Sequence, residues 1–194
     1  MENQNENNKV VFIGNDGIGK TSLIATYHDK KIPEKYVPTV YDNAKKIFQN
    51  EDKEIEIQFW DTARYHGYDR FLPLFLSQSN LTVICFAIND YESFENIENY
   101  WILQVDHFTP NSKRILIGTK IDLRNKLKEE NKKFVTKEEG IELAKKINAI
   151  KYFECSSLNQ KGIETIFNEI VLICIGKYKE INQEKENKKG CILN

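Results

Sequence analysis

The chain has 194 residues, 40% of them hydrophobic, and balances 28 basic against 29 acidic side chains. That length suffices for one domain with a buried core, and the near-neutral charge excludes a global electrostatic pull toward nucleic acid or an anionic membrane, so a membrane partner has to act through a local feature. The four cysteines lack zinc-ligand spacing; Cys85, Cys155 and Cys174 lie in apolar or motif contexts and Cys191 near the end, a pattern suited to a reducing cytosol.

Residues 1–8 read as a polar, Asn-rich leader without the apolar centre of a signal peptide, expected to be disordered. No run reaches transmembrane length. Lys9 to Gly14 is a short apolar strand, followed directly by Gly14-Asn15-Asp16-Gly17-Ile18-Gly19-Lys20-Thr21 and a helical segment. This is a complete phosphate-binding loop in its proper strand-to-helix context. Its glycines let successive backbone N–H groups curl around an anion, Lys20 reaches the outer phosphates, and the Thr21 hydroxyl is placed to ligate magnesium at the helix N-terminus. The pattern specifies a nucleoside triphosphate but not its base.

Further along, Lys45 to Gln49 and Glu54 to Trp60 read as strands joined by a hairpin. Leu81 to Ile88, Arg114 to Gly118 and Lys151 to Cys155 are buried strands alternating with helical stretches. The last helix carries Ile163, Ile166, Phe167, Ile170 and Cys174 on one face. The expected fold is α/β, a six-stranded, mostly parallel sheet with one antiparallel edge strand and helices on both faces. After the strand ending at Gly118 comes Thr119-Lys120-Ile121-Asp122, and after the next strand Glu154-Cys155-Ser156-Ser157-Leu158. The Asp122 carboxylate can accept two hydrogen bonds from guanine N1 and N2, the Lys120 stem can cover the base, and the second loop offers backbone N–H groups to guanine O6. A P-loop kinase or ATPase would need adenine recognition, which Asp122 opposes.

These elements, with Tyr36-Val37-Pro38-Thr39-Val40-Tyr41-Asp42-Asn43 and Trp60-Asp61-Thr62-Ala63, resemble the Rho family of Ras-like small GTPases over about residues 9 to 178, plus the tail. Thr-Lys-x-Asp, Ser93-Phe94-Glu95-Asn96-Ile97 and the terminal Cys191-Ile192-Leu193-Asn194 agree with Rho rather than Ras or Rab. The resemblance implies a Ras-like G domain at 9–178, a flexible tail at 179–194, and bound GTP or GDP with Mg2+. It implies metal contacts from Thr21, Thr39 and Asp61, and catalytic roles for Lys20 and Thr39. The implied nucleotide pocket comprises Asp16, Gly17, Ile18, Gly19, Lys20, Thr21, Ser22, Tyr36, Pro38, Thr39, Asp61, Thr119, Lys120, Asp122, Leu123, Ser156, Ser157 and Leu158. Asp29 to Ala44 corresponds to switch I and Asp61 to about Ser77 to switch II, both ordered by contacts that vanish on hydrolysis. Effectors read switch I; exchange factors and a GDP-dissociation inhibitor are the implied regulators, actin control the implied output, and nucleic acid is not an expected partner.

Three departures bear on chemistry. Where the family has Gly-Gln-Glu after Asp61-Thr62-Ala63, this chain has Arg64-Tyr65-His66. Tyr65 lacks the paired donor and acceptor with which the glutamine orients the attacking water, and Arg64 brings a Cβ to a position the family leaves free to swing. Asp16 replaces a P-loop glycine near the γ-phosphate. Impaired intrinsic and activator-stimulated hydrolysis is expected, unless Arg64, Tyr65 or His66 supplies a compensating contact or Arg64 acts as an arginine finger in cis. The rival reading is a non-catalytic scaffold of the same fold, GDP-bound or empty. His28 and His107 suggest no role. The resemblance places the family's helical insertion at Arg124 to Thr136, a stretch shorter than is usual for Rho proteins, and its charged part, Arg124 to Lys133, reads as a solvated loop, with one or two helical turns as the alternative. Cys191 is a C-a-a-X prenylation acceptor, and Asn194 favours farnesyl. With one lipid and the small basic patch of Lys185, Lys188 and Lys189, partly cancelled by Glu184 and Glu186, the expectation is reversible residence on the cytoplasmic face of membranes, the plasma membrane foremost, in exchange with cytosol.

Overall fold

The computed structural model describes residues 8–30, 41–50, 53–62 and 71–178. The leader before Asn8, the switch I segment 31–40, residues 63–70 and the tail from 179 lie outside it. Six strands, β1 (Asn8–Ile13), β2 (Tyr41–Asn50), β3 (Lys53–Thr62), β4 (Leu81–Ala87), β5 (Lys113–Thr119) and β6 (Tyr152–Glu154), form one sheet ordered β2-β3-β1-β4-β5-β6. Only β2 and β3 pair antiparallel, from Tyr41 opposite Thr62 to Asn50 opposite Lys53; the other pairs are parallel. The expected sheet is therefore the observed one. Asn8 belongs to β1, 5% exposed and paired with Ile57, so the strand starts one residue before the boundary drawn from sequence.

Burial on both faces explains why the central strands are continuously apolar rather than alternating. All seven residues of β4 are buried. In β1, Val10 and Phe12 face one core while Val11 and Ile13 face the other, as the two-residue period of a strand requires. The first core is closed by α1 (Lys20–Asp29) and α7 (Ile163–Cys174). Ile163, Ile166, Phe167, Ile170 and Ile173 form the buried stripe of α7, and each such large apolar side chain contributes roughly 1.5–3 kcal/mol on burial. Phe167 stacks flat on Tyr27 of α1, centroids 3.8 Å apart. The second core lies under α2 (Leu72–Leu76), α3 (Tyr91–Asn96), α4 (Ile102–Phe108) and α6 (Lys137–Lys146). Between α3 and α4 the chain makes a π-helical turn, Ile97–Trp101.

The stretch 124–133 corrects the expectation of an irregular loop. It opens with a helix, α5 (Arg124–Glu129), reached through a 3-10 turn at Ile121–Leu123. Its residues, Arg-Asn-Lys-Leu-Lys-Glu, include good straight-chain helix formers and no proline, glycine or β-branched residue. Glu130 N–H closes onto the Lys126 carbonyl at 3.0 Å, and Lys126 and Glu130 pair across one turn. A run dominated by charge is compatible with a helix when its backbone is free to wind. Among the described residues no helix is long and apolar enough to cross a membrane, and Cys85, Cys155 and Cys174 are free thiols.

Candidate functional site

Every parallel strand delivers its C-terminal end to the same edge of the sheet, where open α/β sheets bind ligands. β1 runs into the phosphate loop, β3 into Asp61, β5 into Thr119 and Lys120, and β6 into Cys155 and Ser156. The phosphate loop reverses tightly enough to pack on the end of β4. At Gly14, φ is +139°, and a Cβ would stand 2.3 Å from the Cys85 carbonyl oxygen and 2.6 Å from Ile18 Cδ1. Gly19, φ +101°, is the N-cap of α1, and a Cβ there would meet nothing within 4 Å. One glycine is required by packing; the other leaves open space and a left-handed backbone at the helix N-terminus, the cradle an anion needs.

Lys20 begins α1 and is 5% exposed. Its Nζ donates to the carbonyls of Gly14 and Asn15, both at 2.8 Å. Burial drives the ammonium below the ordinary lysine value, opposed by the nearby carboxylates of Asp61 and Asp16. A buried cation held by neutral carbonyls is a receptor for phosphate. Thr21, next in sequence, donates its hydroxyl to Asp61 Oδ2 at 2.5 Å. Asp61 is 3% exposed at the end of β3, and its neighbour Thr62 donates to the Phe12 carbonyl at 2.7 Å, locking β3 to β1. The two hard oxygen donors thus placed together suit magnesium. Thr39, the third expected contact, lies outside the described residues, as do Tyr36, Pro38, Arg64, Tyr65, His66 and Cys191.

The base end is built by cross-links between loops. Thr119 Oγ1 donates to the Ile18 carbonyl at 2.5 Å, with the Phe86 carbonyl 3.0 Å away. Lys120, in the left-handed region at φ +61°, extends its Nζ to the Gly17 carbonyl at 2.6 Å, and burial lowers its affinity for the proton against the pull of Asp90 and Asp122. Ser156, fully buried, donates to Asp122 Oδ1 at 2.5 Å, holding one carboxylate oxygen. Ile121 N–H reaches the Cys155 carbonyl at 3.2 Å. Leu123 ends the 3-10 turn, Ser157 is half-buried, Leu158 is 70% exposed and Ser22 follows Thr21 in α1. Asp16 and Gly17 are exposed at the lip of the loop.

Two features escaped the reading of the sequence. Arg124 grips Glu154 with both terminal nitrogens, at 2.9 and 2.6 Å, and Tyr152 donates to the same carboxylate at 3.0 Å. Arg124 lies two positions after Asp122 and Glu154 two before Ser156, so the ion pair clamps together the two loops expected to hold guanine. Its proximity to both motifs was a usable signal. The other feature is a bond from Trp101 Nε1 to Asn15 Oδ1, 2.9 Å, across 86 positions; no local pattern announces it. His28, which suggested no role, pairs with Asp29 at 2.7 Å.

A phosphate loop, a paired hydroxyl and carboxylate, and two cross-linked loops after β5 and β6, all at one edge of a six-stranded sheet, define a Ras-like G domain of the P-loop NTPase class. The sequence profile of the Ras family matches residues 9–175. "GTP-binding protein rho5" of Schizosaccharomyces pombe is 37% identical over 192 residues, which cover 95% of this chain and 96% of that protein. The chain belongs to the Ras family of small GTPases, within its Rho branch, and is a GTP-binding protein of that type.

Proposed function

We propose that this protein is a slow-hydrolysing Rho-type signalling switch, with actin organisation as its output by family resemblance. The observation that carries the switch reading is the joining of Lys20, Thr21 and Asp61 to the Asp122–Ser156 clamp through the bonds Lys120–Gly17 and Thr119–Ile18. Phosphates and guanine would be held by one connected set of loops, so loss or gain of the γ-phosphate is felt by the whole edge.

In hydrolysis the chain's task is positioning and charge stabilisation. Lys20 and the loop amides would hold the phosphates; Thr21, Asp61 and Thr39 would hold magnesium, which when bound neutralises charge shared between the β- and γ-phosphates. The water-orienting position is Tyr65. A phenol offers one hydroxyl where glutamine offers an amide that donates and accepts at separate atoms, and Arg64 restricts the backbone that precedes it. Asp16, exposed at the loop lip, adds like-charge repulsion against a γ-phosphate, on the order of 1 to 4 kcal/mol depending on local dielectric. Ordinary intrinsic turnover is about 3–5 × 10⁻⁴ per second; the expectation here is slower, with little acceleration by activating proteins. Single-turnover release of labelled phosphate from preloaded protein tests this, and an ordinary rate overturns it.

The Asp16 carboxylate also favours a second reading, a scaffold of the same fold that holds GDP or no nucleotide. Nucleotide extracted from freshly purified protein decides: GTP supports the switch, GDP or nothing the scaffold. Effectors would engage Tyr36 to Asn43; exchange factors and a GDP-dissociation inhibitor are the regulators expected of the family. Cys191, farnesylated, would bring the protein to the cytoplasmic face of membranes, chiefly the plasma membrane, in exchange with cytosol. One lipid chain binds only marginally, so Cys191→Ser should move the membrane-associated fraction to the soluble one, and retention on membranes would refute the anchor.

A further inference from the structure

The π-helical turn Ile97–Trp101 ends in an indole that is 2% exposed and belongs to the second core. A π turn carries one residue more per hydrogen-bonded ring than an α turn, so it rotates the side chains that follow, and such turns are frequent at functional positions. Here the rotated residue is Trp101, whose Nε1–H points out of the core and donates to Asn15 Oδ1 at 2.9 Å. Asn15 is the second residue of the phosphate loop, and its own carbonyl accepts from Lys20 Nζ at 2.8 Å. A continuous path therefore runs from the indole through the side chain and backbone of Asn15 to the buried ammonium. Its origin lies between α3 and α4, outside both switch segments.

We propose that Trp101 is a positioning residue for nucleotide retention: its indole N–H holds Asn15, and Asn15 holds the phosphate loop and Lys20 in the form that grips the phosphates. The inference rests on the GTP-binding reading above and adds to it a determinant of the dissociation rate that no nucleotide-contact motif contains. The rigid, buried ring fixes where the N–H can be, which makes the bond directional, and an unpartnered buried indole N–H is costly enough to keep the contact made.

The test uses the full-length protein loaded with mant-GDP and chased with excess GDP in the presence of magnesium. Trp101→Phe keeps most of the ring and removes the donor; Asn15→Ala removes the acceptor. Each should speed mant-GDP release about 3- to 10-fold, the range set by one neutral hydrogen bond. The double variant should release no faster than the faster single variant, because both changes break the same bond. Rates that multiply in the double variant, or a Trp101→Phe rate within twofold of the wild type, overturn the proposal while leaving GTP binding intact. Failure of the wild-type protein to take up mant-GDP overturns the GTP-binding reading itself.

Should Trp101→Phe not fold, the wild-type protein supplies a second measurement. The chain has two tryptophans, and the other, Trp60, donates a 3.3 Å bond to Gln58, so a nitrogen-15 spectrum contains two indole signals, distinguished by Trp60→Phe. The Trp101 signal should resist hydrogen exchange and shift when EDTA strips the nucleotide. A signal at the same position with and without nucleotide sinks the coupling.

Discussion

Lys120 and Gly17 lie 103 positions apart, yet the Lys120 ammonium donates to the Gly17 carbonyl at 2.6 Å. This bond joins the loop proposed to face the base to the loop proposed to face the phosphates. Lys120→Met keeps an apolar stem to cover the base and removes the cross-link. Hydrogen bonds to charged groups contribute about 1.5–3 kcal/mol, less at a partly exposed site, so mant-GDP dissociation should rise about tenfold. Stopped-flow release curves that superimpose on the wild type would show the bond to be incidental.

The Arg124–Glu154 pair makes a prediction about acid. Burial alone would raise the Glu154 pKa, but the Arg124 hydrogen bonds and charge, with Tyr152, outweigh it and hold the carboxyl below its ordinary value of 4.5. A depressed pKa in the folded state means stability that is complete above the unfolded value and is lost as pH falls through the folded one. Arg124→Gln should therefore melt lower than the wild type at pH 7, with the gap narrowing below about pH 4.5 as Glu154 protonates in both. Melting curves from pH 7 to pH 3 check it; a gap that does not change with pH would mean the pair contributes packing alone. The same variant should also loosen discrimination between GDP and inosine diphosphate, which lacks the N2 donor, because Asp122 and Ser156 lose the clamp outside them.

Gly14 has no room for a methyl group. A Cβ there meets backbone, the Cys85 carbonyl at 2.3 Å, and φ +139° is itself unfavourable to an L side chain. Gly14→Ala should cost about 2–4 kcal/mol, as expected of overpacking combined with backbone strain, and should lose nucleotide affinity with it. Urea unfolding with an unchanged midpoint would contradict the packing described.

Hydrolysis should respond to reversing the departures from the family pattern. Arg64→Gly together with Tyr65→Gln should raise the intrinsic single-turnover rate at least about tenfold, toward the 10⁻⁴ per second range ordinary for this class. Adding Asp16→Gly should restore acceleration by an activating protein. If all three substitutions leave the rate where it began, the block lies elsewhere in the site.

Much of this molecule was legible along the chain. The strand preceding Gly14, the phosphate-loop pattern and the stripe Ile163, Ile166, Phe167, Ile170 are local, because loop curvature and helical periodicity are set by neighbours three or four residues apart. So were the two loops expected to hold guanine, which follow the buried strand β5 and the half-buried strand β6. The 124–133 stretch misled for a local reason as well: its charge count suggested a solvated loop, whereas the absence of glycine, proline and β-branched residues let α5 form.

What only tertiary structure decided are the contacts between segments far apart in sequence. That Thr21 would meet Asp61, that Arg124 would clamp Glu154, and that an indole at position 101 would hold an asparagine at position 15 depend on strand order and on the rotation of one π turn. Residue spacing carries the period of an element but not the angle at which one element faces another, and hydrogen bonds are made or lost over a few tenths of an ångström. The sequence by itself determined which chemistry is present and in what order; the sheet determined which of those groups touch.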